Sequence, residues 1–385
     1  MSSEFFDTAE FAERQQRVRA KMAEERLDLL FVTSPVNINY LIGAAAKAYQ
    51  VFQCLCFTRE AGPQLLLLRR SDVAEVTDLS LADEVRGWGG LKAEDPIAVL
   101  AAIVDEKKWR RARIGVEAPP YYMSVGNHRK LTAALSGTEL VEASDLIENL
   151  KLVKSAAELA YVRKAAMIAD VGIDAISAAL AEGRTEREVA AAAHGAMMAA
   201  GGESPPSPMN FVSGERTCYA HGLPTDRALR RGDFMHVEFG GQYRRYCSTI
   251  ARHFSLGEPS ARARQLHDVT RAACEAAIGV IRPGVPAHAA HRAAAEVIRD
   301  AGLGEFHLHT TGYGIAPGFP PAWGESINML DDNGALLEEN MVVSIEPPVF
   351  IHPERLGARL IDCVIVRPGG AEILSQRSQD LVVIG

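Results

Sequence analysis

Arg231-Gly232-Asp233-Phe234-Met235-His236-Val237-Glu238-Phe239-Gly240-Gly241, followed closely by Tyr246-Cys247-Ser248-Thr249-Ile250-Ala251-Arg252-His253-Phe254, is the stretch whose reading decides the fold. Two apolar, strand-like runs flank Gly240-Gly241, which predicts a β-hairpin with the glycines in its loop. Glu238 interrupts the apolar character of the first run. An ionised carboxylate left unpaired in such a strand would be costly or would shift its pKa upward, so its presence marks a partner or a ligand.

Helical patterns lie on both sides. Upstream, apolar residues recur at helical spacing over 156–180, and Ser155 with Glu158 resembles a capping box. Thr185-Glu186-Arg187-Glu188 opens a second helix that stops at Gly201-Gly202. Downstream, helices are expected over 261–281 and 287–301, and strands over 341–346, 358–366 and 372–374. Helix pair, hairpin, helix pair and sheet make an α+β layout. Before residue 148 the character differs: short apolar runs at 27–33, 64–68 and 112–116 alternate with helical segments, as in a mixed α/β sheet. Two domains are expected, 1–152 and 153–385.

Three segments carry candidate chemistry: Ala220-His221-Gly222-Leu223-Pro224-Thr225-Asp226-Arg227, the hairpin around Glu238, and Val343-Ser344-Ile345-Glu346-Pro347-Pro348. Their order, with Gly312-Tyr313-Gly314 between the last two, resembles the creatinase and methionine/proline aminopeptidase family. The resemblance spans the chain and implies a pita-bread catalytic domain behind an N-terminal creatinase-like α/β domain. Peptidases of that family hold two metal ions with two Asp, one His and two Glu. Here those positions fall on Glu238, Thr249, Tyr313, Glu346 and Ile361. A hard dication needs several oxygen or imidazole ligands, so threonine, tyrosine and isoleucine at three of five positions imply a metal-free site without a cofactor.

The resemblance is closer to a metal-free branch that includes creatinase and ectoine hydrolase. His221 falls on the catalytic histidine of creatinase and Glu346 on one of its glutamates, while creatinase's hairpin glutamate falls on Ala251. The ectoine hydrolase branch carries a glutamate at Glu238 and a segment similar to Pro320-Pro321-Ala322-Trp323-Gly324-Glu325. The expected function is therefore metal-independent hydrolysis of a non-peptide C–N bond in a small zwitterionic amidine, guanidino or cyclic amide compound. Two alternatives stand beside it: a metal-dependent Xaa-Pro peptidase, and a non-catalytic pseudopeptidase that binds a peptide or partner protein.

In this reading Glu346 is the base for water, His221 the proton shuttle, and Glu238 a cation anchor or proton-sharing partner. Tyr313 and Trp323 form a stacking wall, with Glu325 beside them. Arg252 and Arg359 are candidate carboxylate clamps, because the guanidinium fork suits the task. His309, which alternates with His307 along one strand-like face, is placed near the substrate.

Composition restricts the partners. Among 385 residues, 48% are hydrophobic and 23% charged, with a net charge of −8, which is the balance of a globular protein. The basic residues are scattered, so nothing motivates nucleic-acid or membrane-surface binding, and a small-molecule substrate is expected. Six cysteines without metal spacing suggest reduced thiols, and no signal peptide or apolar span is evident, so a cytoplasmic location is expected. The family resemblance implies a homodimer, for which the sequence itself offers only the apolar stretch 49–57 as a covering loop.

Overall fold

The structure, a computed structural model, describes residues 5–385 apart from the side chain at position 316. The chain divides into two compact units, with the division after Lys151. The first runs α1 (Thr8–Glu24), β1 (Leu29–Val32), α2 (Pro35–Ile42), β2 (Cys54–Thr58), β3 (Leu65–Arg69), α3 (Val73–Leu79), β4 (Glu84–Trp88), α4 (Pro96–Glu106), β5 (Arg113–Val116), α5 (Val125–Ala134), β6 (Glu139–Glu142) and α6 (Asp145–Lys151). Its sheet has the order β4-β3-β2-β1-β5-β6. β1 pairs parallel with β5 and antiparallel with β2, so the sheet is mixed. Both faces are covered by apolar cores, which explains why the runs read as continuously hydrophobic. Residues 54–57, within the stretch expected as an exposed cover, are instead buried in β2.

The second unit runs α7 (Ala156–Ala179), α8 (Glu186–Ala199), β7 (Asn210–Ser213), β8 (Phe234–Tyr243), β9 (Tyr246–Leu256), α9 (Ala261–Val280), α10 (Ala287–Asp300), β10 (Gly312–Phe319), β11 (Ala322–Asn328), β12 (Val342–Ile345), β13 (Pro348–Ile351), β14 (Leu356–Arg359), β15 (Ile361–Ile365), β16 (Glu372–Ile373) and β17 (Val382–Ile384). The large sheet has the order β11-β10-β12-β15-β9-β8-β7. α7 and α8 share one core with β8 and β9, while α9 and α10 share another with β12 and β15. Both expected capping boxes form, at Ser155–Glu158 and Thr185–Glu188. The architecture is thus the expected two-domain α+β fold.

Two local readings change. The hairpin turns at Arg244-Arg245, both with positive φ (46° and 68°), as a two-residue loop matching strand twist requires. Stacking offsets the cost for non-glycine residues: the Arg244 guanidinium lies 5.4 Å from the Tyr161 ring centre and that of Arg245 4.5 Å from Phe319. Gly240 and Gly241 lie inside β8, where they serve close approach. A Cβ at Gly241 would overlap the Ala165 carbonyl of α7, and one at Gly240 would sit 2.9 Å from the Trp323 ring. The single strand expected over 358–366 breaks at Leu360, so Arg359 ends β14 and Ile361 begins β15.

Gly241→Ala should lower the thermal midpoint of the second unit by the equivalent of about 1–3 kcal/mol, the usual range for overpacking. Gly195→Ala, in α8 with open space around it, should be stabilising by about 0.5–1 kcal/mol. Calorimetry of both variants checks the assignment, and an unperturbed Gly241→Ala midpoint contradicts it.

Candidate active site

β8 carries Glu238 opposite Ala251 of β9 and Asn210 of β7. Its buried carboxylate pairs with Arg359 from the end of β14. The same guanidinium donates to the Ala220 carbonyl at 2.6 Å, and the Arg359 backbone N–H donates to His253 Nε2 at 3.0 Å. Burial pushes Arg359 down to about 9, which leaves it a cation at neutral pH.

Glu346 follows β12. Its N–H donates to the Thr311 carbonyl at 2.7 Å, and its carboxylate accepts from Ser344 Oγ at 2.8 Å. His309 Nδ1 lies 3.4 Å from the other oxygen. Burial raises the Glu346 carboxyl to about 8, against a smaller lowering by the Ser344 hydroxyl. His221 sits on an exposed turn, edge-on to His309 with ring centres 5.7 Å apart. Partial burial, then the charges of Arg359 and His309, lower its pKa. The loop is held from below: buried Glu186 accepts from the Ser213 and Thr225 backbone and hydroxyl groups and pairs with Arg216, which donates to the Leu223 carbonyl.

These groups line one cleft of about 420 Å³ together with Tyr313, Trp323, Pro321 and Ser207. Trp323 Nε1 donates to the Tyr313 hydroxyl at 3.1 Å, and burial with the nearby Glu346 raises the Tyr313 pKa. The structure therefore brings together His221, Glu238, Glu346, His309, Arg359, Tyr313 and Trp323. It does not bring Arg252 or Glu325 to the cleft lining. Arg252 points to the opposite face of β9 from the side that meets Glu238, where it binds Asp362 at 2.7 Å and the Ile361 and Arg377 carbonyls. Glu325 is buried against Lys154. Sequence reading missed Lys154, Ser207 and the Glu238–Arg359 pairing; the last joins residues far apart in the chain, and no local pattern reports it.

The comparisons place these features in a family. Residues 160–368 match metallopeptidase family M24, and residues 14–153 match the creatinase/prolidase N-terminal domain. The chain belongs to metallopeptidase family M24. It is 27% identical over 374 residues to the Xaa-Pro dipeptidase of Pyrococcus furiosus, covering 96% of this chain and 99% of that protein. It is 32% identical over 395 residues to the probable dipeptidase PepE of Mycobacterium tuberculosis, covering 100% and 99%. Among solved structures, dipeptidase PepE from Mycobacterium ulcerans is 32% identical with a TM-score of 0.84 over 98% of this chain and 99% of that one. The X-Pro aminopeptidase of Thermotoga maritima gives 25% and 0.85, over 96% and 99%.

These relatives are named as peptidases, and they overturn the expectation of a metal-independent, ectoine hydrolase-like or creatinase-like enzyme acting on non-peptide C–N bonds. That expectation weighed a few site substitutions above the similarity of the whole chain. A resident metal pair, which the family implies, nevertheless does not fit the residues present. Glu238 is engaged by a guanidinium, Thr249 Oγ1 is buried without a hydrogen-bond partner, Tyr313 is a neutral phenol, and Ile361 offers no donor. Among the described residues no group of three or more His, Cys, Asp or Glu is placed to hold a metal ion. We therefore derive no step through a metal. Elemental analysis of protein equilibrated with Mn²⁺ and then desalted should find fewer than two equivalents bound; two retained equivalents would show that the donor set has been misread.

Proposed function

We propose that this chain hydrolyses small dipeptides of the Xaa-Pro class in the cleft between Glu238, Glu346, His221 and His309. The observation that carries the reading is the end-to-end similarity, through both units, to proteins named as dipeptidases. The cleft supports it. A volume of about 420 Å³ suits a ligand of dipeptide size, Trp323 and Pro321 offer an apolar wall for a ring, and Arg359 offers a buried cation toward a carboxylate.

Glu346 is the proposed base. Its buried carboxylate takes a proton from the attacking water beside His309, and that same proton passes by way of the neutral His221 imidazole to the departing nitrogen, which leaves Glu346 ionised again. Glu238 holds Arg359 in place. A small-molecule substrate, a homodimer and a cytoplasmic location belong to this proposal. All six cysteines are free and buried, in keeping with a reducing compartment, and no helix among the described residues is long and apolar enough to cross a membrane.

A second reading, a peptide-binding protein without turnover, is favoured by one observation: the Glu238 charge is already taken up by Arg359. Proline release from a panel of Xaa-Pro and Xaa-Gly dipeptides, with and without added Mn²⁺ or Co²⁺, separates the two. Preferential proline release supports the dipeptidase. Dipeptide binding by calorimetry with no release under any condition supports the binding protein.

The pH dependence follows from Glu346. Below about 8 its carboxyl is mostly protonated and cannot act as a base. Turnover should therefore rise about tenfold per pH unit up to that region and then level. Glu346→Gln should lower turnover by about 10²–10⁴ and abolish that limb while folding persists. A wild-type rate that falls as pH rises through the same region would reject Glu346 as the base.

A further inference from the structure

We propose that Lys154 is a positioning residue for the cleft: its buried ion pair with Glu325 holds β11, and with it the indole of Trp323, in place. The proposal rests on reading the cleft as the substrate site, but its geometry stands independently. Lys154 Nζ lies 2.5 Å from Glu325 Oε2, with side-chain exposures of 0% and 1%, and donates also to the Leu152 carbonyl at 3.1 Å. The segment that carries it is itself tied to the sheet, through Lys154 N–H to the Asn340 carbonyl at 3.1 Å and the bridge between Val153 and Met341.

β11 needs such an anchor. It lies at the end of the sheet, and its ladder to β10 is interrupted, with register shifts on both sides of the Ile315–Gly324 pair. Backbone pairing alone therefore leaves Trp323 loosely specified. Along β11 the buried residues are Trp323, Glu325 and Ile327, so Glu325 is the next inward side chain after the indole. Gly314 of β10 makes room for it: a Cβ there would sit 3.0 Å from Glu325 Cβ and 2.7 Å from Ile327. Two desolvated charges are a poor source of stability compared with apolar packing, whereas a single fixed pair discriminates one register from its neighbours. Neither Lys154 nor Glu325 is among the residues that line the cleft, and Lys154 acts through Glu325.

The test uses the full chain with Trp88→Phe and Trp109→Phe, which leaves Trp323 as the sole tryptophan. Lys154→Met keeps chain length and removes the charge. Its Trp323 emission should shift to the red and become more accessible to acrylamide. KM for an Xaa-Pro dipeptide should rise at least about fivefold, with kcat changed far less, because the acid–base groups are untouched. The exchange Lys154→Glu with Glu325→Lys should bring emission and KM back toward the starting values. Glu325→Gln, which keeps an acceptor, should move the same readouts in the same direction and serves if Lys154→Met does not fold. Unchanged Trp323 emission and quenching in the folded variants, whatever the loss of melting temperature, would overturn the proposal. If no dipeptide is turned over by the starting protein, the fluorescence measurements still decide the role of Lys154, and only the dipeptidase reading fails.

Discussion

Glu238 and Arg359 are both out of water, with side-chain exposures of 8% and 1%, and neither can remain so alone. The guanidinium does not shed its proton near neutral pH, and an unpaired carboxylate in the middle of an apolar strand is equally unfavourable. Their pairing joins β8 to the end of β14. Through the Ala220 carbonyl it reaches the turn that carries His221, and through the Arg359 backbone it reaches His253 on β9. Removing either partner would leave the other charge buried, a loss of about 3–5 kcal/mol in comparable pairs. The middle of β8, the end of β14 and the turn that carries His221 are tied together by this one contact.

Other buried charges work outward from it. Glu186, fully buried in the first turn of α8, gathers Ser213, Thr225 and Arg216 and so shapes the chain leading into and out of His221. On the reverse face of β9, Arg252 and Asp362 lock β9 to β15. The alternation of a strand separates the two roles: Thr249 and Ala251 face the side of Glu238, and Arg252 faces away. Buried ion pairs therefore define the frame, while the aromatic residues Tyr313 and Trp323 close the cleft by a hydrogen bond and by packing over Gly240.

Function was the part of the sequence most open to misreading. The resemblance sets Thr249, Tyr313 and Ile361 at positions where it implies metal ligands, which taken alone favours hydrolysis of a non-peptide bond. The whole-chain similarity to dipeptidases points to peptide chemistry instead. The two facts are compatible at the level of structure. A cleft can keep its family shape while its charges are rearranged, because shape comes from the sheet and helices and charge from a few side chains.

Periodicity and capping chemistry are local, and so the elements were legible: the helix openings at Ser155 and Thr185 and the strand through Glu238 follow from neighbours in the chain. His221, Glu238, Glu346 and His309 stand out in the sequence as polar groups against apolar runs or within motifs, and the fold places all four around one cleft. What the hairpin turn would be was decided by tertiary contacts, since Gly240 and Gly241 are needed beneath Trp323 and against α7, and stacking lets Arg244 and Arg245 make the turn. The partners of Arg252, Glu325 and Arg359 were likewise decided only in three dimensions. A buried charge must find its counterion wherever the fold brings one, and the separations of 110, 171 and 121 residues place that choice beyond any local pattern.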